Sequence, residues 1–177
     1  QALKENGYHL LIATYSPDSG DENAPPFGPH NADGVVVFSN TIGEERLAEW
    51  YEMHFPVVLV HRTAPRALPI PCVNVENKNS SYKLVEHLIK EHDRKHIIFV
   101  RAPECPEDAY HREMAYKAAL KANSIVFDPN LIIGGNFERS AARQAMEKFL
   151  ANNPPLFDAV FAGDDDLAVS VMSALQN

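Results

Sequence analysis

The apolar residues of this chain fall into short runs separated by stretches with helical spacing. HLLIATY (His9–Tyr15), VVVF (Val35–Phe38), VVLVH (Val57–His61), HIIFV (His96–Val100) and AVF (Ala159–Phe161) are each strand-sized. Shorter runs at Val73–Val75 and Pro129–Ile133 read the same way. None alternates apolar with polar residues, which is the pattern of strands covered on both faces. Between the runs, Glu44–His54 places Leu47, Trp50, Tyr51 and His54 at helical spacing, and Pro56 stops it. Ser80–Glu91 turns Leu84, Val85, Leu88 and Ile89 inward, with Asn79 and the serines after it available as caps. Further helices are predicted from Glu107 or Asp108 to about Asn123, over Arg139–Asn152, and over Asp164–Leu175. Ala2–Asn6 reads as a helix tail that Gly7 stops. Ser16–His30 and Arg62–Pro71 are Pro-rich loops. Strands and helices alternate, the order of parallel sheets flanked by helices.

Composition narrows the function more than the fold. With 177 residues, 45% hydrophobic and 23% charged, the chain suits one globular domain or two small lobes and excludes a disordered tract. No apolar run approaches the ~20 residues of a membrane helix, so no membrane partner is expected. The net charge is −8, and both the part up to Val75 and the remainder are acidic. No Lys/Arg stripe could neutralise a phosphate backbone; Arg94-Lys95-His96 reads as a solvated turn before a strand. Two cysteines, Cys72 and Cys105, without a CxxC, make neither a disulfide framework nor a zinc site. No metal and no cofactor is expected. The chain starts at Gln1 without Met, inside a helix tail, and ends just past a helix, so it reads as an excerpt of a longer protein.

Candidate chemistry collects at the carboxyl ends of the predicted strands, where open α/β sheets bind ligands. There is no GxGxxG, P-loop or GxSxG, and Gly134-Gly135 reads as a simple turn. Asp164-Asp165-Asp166 follows a strand and opens a helix, so capping is the plainest reading. Three carboxylates exceed what a cap needs, and one of them facing a ligand is the second reading; a metal is a third. His61 ends its strand and precedes Arg62. Arg112 lies early in a helix, placed to point its fork of donors back at the strand ends. Phe137 sits at a loop crest, where a ring packs beneath the loop or stacks on a ligand. Trp50 and Tyr51 are either core or a dimer face.

The strings GYHLLIATY, NADGVVVFS, FPVVLVHR, LVEHLIKEH–RKHIIFV, REMAYKAAL and FDAVFAGDDDLAVSVMSAL, in this order, resemble the effector-binding region of the LacI/GalR family. The resemblance covers essentially the whole chain. It implies an α/β, two-lobed periplasmic-binding-protein-like (type I) fold with parallel sheets flanked by helices, incomplete at both ends. The partial lobes would be residues 1–75 and 76–177, with a ligand cleft between them. It also implies a sensor of a small polar ligand such as a sugar, not an enzyme, signalling by lobe closure in a cytoplasmic transcriptional regulator. Arg112 matches the family's ligand-gripping Arg, Asp164 a polar position before the family's recurrent Asp (Asp165), and His61 a polar contact. Phe137 matches a stacking aromatic, and Phe38 another cleft-lining position. The lobes would pair as a homodimer, and DNA would be bound only by a helix-turn-helix absent from this chain. Fusion to a kinase or cyclase module, a transport-type solute receptor, an enzyme and a domain kept for dimerisation remain alternatives. The chain departs from the family where Gly-His usually follows the LVEHLI helix; His92-Asp93 stands there, in a segment one residue longer.

Overall fold

The structure, a computed structural model, describes residues 2–14, 25–39, 41–101, 106–134 and 139–176. The chain divides into two compact units, Gln1–Asn74 and Val75–Asn177.

In the first unit, α1 (Ala2–Glu5) ends at Gly7, whose φ of +77 suits a residue without a Cβ. β1 (Val35–Phe38), α2 (Glu44–Glu52), β2 (Val57–Val60) and β3 (Cys72–Val73) follow. The strands form a parallel sheet in the order β1-β2-β3, with Val35 opposite Val57 and Phe38 opposite Val60. Val37, Val57 and Leu59 pack with Ile42, Ile70, Leu47 and Trp50.

Two expectations change here. Residues 9–14 form no strand, and Leu10, Leu11 and Ile12 are exposed; Tyr15 lies outside the described residues. An apolar run becomes a strand only when a neighbour completes its backbone ladder. Among the described residues none pairs with it. Nor is β1 covered on both faces: Val37 is buried, while Val36 and Phe38 are exposed. An unbroken VVVF run carries no polar mark to tell one face from two.

The second unit contains α3 (Lys78–Lys90), β4 (Ile97–Val100), α4 (Pro106–Ala122), β5 (Ile132–Ile133), α5 (Arg139–Ala151), β6 (Ala159–Ala162) and α6 (Asp165–Leu175). Its parallel sheet runs β5-β4-β6. All four residues of β4 are buried, as the unbroken apolar run predicts for a central strand. Ile98 and Val100 pack with Met146 of α5 and Leu167 and Val171 of α6. Ile97 and Phe99 take the other face, with Val85 and Ile89 of α3 and Tyr116 and Leu120 of α4. The Tyr116 ring stacks on Phe99 with centroids 5.4 Å apart, and its hydroxyl donates to the Ile97 carbonyl at 2.8 Å. Burial pushes the Tyr116 hydroxyl pKa up to about 12.

The start of α3 also differs from expectation. The Glu76 carboxylate accepts from the N–H groups of Asn79 (2.9 Å) and Ser80 (3.0 Å). Asn79 is therefore inside the first turn and is itself capped, because the helix starts earlier than the serines suggest. Pro129–Leu131 is a turn of 3₁₀ helix, not strand, and only Ile132–Ile133 joins the sheet. The result is an α/β architecture of parallel sheets flanked by helices. Among the described residues no helix is long and apolar enough to cross a membrane.

Candidate functional site

At the carboxyl ends of the second sheet, Arg101, Gly134 and Gly163 directly follow β4, β5 and β6. Arg101 N–H extends the ladder to the Ile133 carbonyl (2.8 Å), and Gly163 N–H extends it to Val100 (2.8 Å). Arg112, one turn and a half into α4, reaches back over these ends. Its Nε donates to Asn77 Oδ1 at 2.9 Å, and its Nη1 donates to the Gly163 carbonyl. Asn77 is buried, and its Nδ2 donates to Asp108 Oδ1 at 2.7 Å and to the Val75 carbonyl at 3.3 Å. These partners fix which way the amide points. Flipping it would set its oxygen against the Asp108 carboxylate and its NH₂ against the guanidinium. Arg112 is thus held in place by two neutral oxygens. Among the described residues no carboxylate lies within ion-pair distance of it.

The neighbouring arginine is in the opposite condition. Arg101 donates through Nε (2.8 Å) and Nη2 (2.7 Å) to Glu113 Oε2, while Lys117 reaches Oε1 at 2.7 Å. Burial pushes the Glu113 carboxyl up, but Lys117 and Arg101 outweigh it and hold it below the usual carboxylate range. Arg101 also lies over Gly134, where an added Cβ would come within 3.2 Å of Nη1. One cation is committed to a carboxylate; the other, Arg112, has no carboxylate partner among the described residues.

Asp164 is half-buried, and its Oδ1 accepts from Leu167 N–H at 2.7 Å, capping α6. The peptide just before it supplies the acceptor for Arg112. Among the described residues no group of three or more His, Cys, Asp or Glu could hold a metal ion. Phe137 lies outside the described residues.

In the first unit, Phe38 ends β1 and His61 directly follows the adjacent strand β2. Their ring centroids are 5.0 Å apart at 53°. Ser39 and His61 both take left-handed backbone conformations, with φ 52 and 55. Such residues cost on the order of 1–3 kcal/mol each and concentrate at ligand sites. Arg62 is buried and donates to the Ile42 carbonyl, so it supports the loop from within. Trp50 is 3% exposed and packs edge-on to Phe55, whereas Tyr51 is 44% exposed. The core reading applies to Trp50, and only Tyr51 reaches the surface. A groove of about 240 Å³ lined by Phe27, Pro29, His30, Arg46, Trp50 and Met53 involves none of the strand-end residues.

The structure therefore brings the sequence candidates together in pairs, Phe38 with His61 and Arg112 with the Gly163-Asp164 peptide. Asn77 and Asp108 were not legible as site residues. In sequence they look like helix-start polar residues, and only the fold sets them against Arg112.

Comparison with known proteins extends this geometry. The family described as periplasmic binding proteins and sugar binding domain of LacI family matches residues 1–177. Catabolite control protein A of Priestia megaterium is 27% identical over 82% of this chain and 43% of its own. The HTH-type transcriptional repressor CytR of Escherichia coli is 28% identical over 80% of this chain and 40% of its own. Among solved structures, the transcription regulator CcpA of Lactococcus lactis superposes with a TM-score of 0.65 at 25% identity, covering 83% of this chain and 52% of that one. The chain spans about half the length of the relatives it matches, or less.

Proposed function

The chain belongs to the family of periplasmic binding proteins and LacI-type sugar-binding domains, and on that premise we propose that it is the effector-sensing part of a transcriptional regulator. Its ligand is a small polar molecule, in the first instance a sugar. The observation that carries this reading is Arg112. A guanidinium fixed by neutral acceptors at strand ends keeps its charge and part of its fork for hydroxyl or carboxylate oxygens of a ligand. Asp164, His61, Phe38 and Phe137 are proposed as the further contacts, the rings for the apolar face of a sugar and the polar groups for its hydroxyls.

CytR and the Lactococcus lactis CcpA are named as transcription regulators, which favours this reading over a transport receptor, a kinase- or cyclase-linked sensor and an enzyme. A bound sugar should be recovered chemically unchanged. DNA contact and pairing into a homodimer are proposed for the longer protein. Binding signals only if the ligand prefers one of two conformations.

The test is thermal unfolding in the presence of single monosaccharides and their acid and phosphate derivatives. At least one should raise the melting temperature in proportion to its saturation, and Arg112→Ala should abolish the rise. A wild-type chain that none of them stabilises, or a variant stabilised equally, contradicts the reading.

A further inference from the structure

Two histidines at the C-terminal end of α3 take no part in the site above. Glu91 ends the helix, Asp93 adopts a left-handed backbone (φ 51), and Arg94 N–H reaches back to the Leu88 carbonyl at 3.1 Å. This folds the following turn onto the last helical turn. His92 Nε2 comes to lie 3.2 Å from His87 Nε2, with ring centroids 4.8 Å apart and planes at 84°. Both side chains are exposed. His92-Asp93 is also where this chain departs from the Gly-His usual in the family it resembles.

We propose that His87 and His92 form a surface site for a divalent transition metal of the kind imidazole prefers: zinc, nickel or copper. Tetrahedral zinc bound at about 2.0–2.1 Å separates its ligand nitrogens by about 3.3 Å. The pair already stands close to that spacing. Without metal, the contact requires one Nε2–H to donate to the other ring's lone pair. Metal takes both Nε2 lone pairs, and the donating ring moves its proton to Nδ1, with no net proton released.

The surroundings favour a cation. His87 lies in the last turn of α3, where the helix dipole presents its negative end. Two nearby lysines are engaged by carboxylates, Lys90 by Glu86 (2.7 Å) and Lys95 by Asp93 (3.1 Å). Among the described residues no third His, Cys, Asp or Glu completes a ligand set, so water fills the remaining positions. The metal would clamp the end of α3 to the turn that leads into β4.

The experiment is calorimetric titration of the EDTA-treated chain with Zn²⁺ and, separately, Ni²⁺. It is repeated on His87→Ala, His92→Ala and the double variant. Because both positions are exposed, the variants should keep the wild-type circular dichroism, and the remaining histidines give a constant background. Wild type should bind one equivalent at least ~10-fold more tightly than either single variant, as loss of a ligand costs no less than loss of its supporting partner. The single variants should match the double variant. Zn²⁺ should raise the melting temperature of wild type alone, reversibly with EDTA. Wild-type binding no tighter than that of the double variant, or equal to that of either single variant, overturns the proposal.

Discussion

Arg112 and Asn77 show how a single residue's role depends on what holds it. From sequence alone, Arg112→Ala should weaken ligand binding and leave the free protein's melting temperature almost unchanged. The structure changes the second half of that expectation. Arg112 bonds Asn77 and the Gly163 carbonyl, so its loss leaves a buried amide oxygen without its donor. Arg112→Ala and Asn77→Ala should each destabilise the ligand-free chain by about 1–3 kcal/mol, read from urea unfolding. A wild-type midpoint in either variant would mean these bonds carry no weight. Asp158 offers a second check at this scale. Burial raises its carboxyl, but the N–H groups of Lys95 and His96 and the nearby charges of His96 and Arg94 outweigh that and hold it low. A folded pKa below the unfolded value of about 3.9 gives stability that is complete well above that pH. It is lost as pH falls through the folded value. The stability gap between wild type and Asp158→Asn should therefore close in acid. A gap that stays constant from neutral pH down to pH 3 would contradict the assignment.

At the scale of elements, legibility followed how much of the signal was local. β4 and the helices on its two faces are readable because an unbroken apolar run and helical spacing each record burial, although Leu84 of α3, expected inward, is exposed. The faces of β1 were not, since VVVF looks the same with one face covered or two. His9–Tyr15 has the composition of a strand, but a ladder partner is not a property of the segment itself. The cap of α3 was misplaced because Asn79 and the serines are good caps in general, while Glu76, two residues before the first helical residue, reaches the N–H groups. Its carboxyl is held low chiefly by the Asn79 N–H. Glu76→Ala should lower the melting temperature of the chain, and Asn79→Ala should lower it less. The reverse order would return the cap to Asn79.

For the whole molecule, charge and alternation were enough to give the architecture, and the order of the strings gave the family. The candidate site was legible as residue types at strand ends, Arg112 above all. The Asn77–Asp108 support was not, because it depends on a contact between residues 31 positions apart. The net charge of −8 predicts that this chain alone binds no DNA at physiological salt, and a salt-dependent mobility shift at micromolar protein would contradict that. Sensing of a small polar ligand through Arg112 is the role proposed for this chain. It is tested most directly by calorimetric titration of wild type and Arg112→Ala with the monosaccharide that most stabilises the wild-type chain. Loss of a charge-assisted hydrogen bond of about 1.5–3 kcal/mol should weaken binding in the variant by roughly tenfold or more, with saturable heat in wild type. Equal affinities in the two proteins, or no saturable heat from any sugar in wild type, would contradict it.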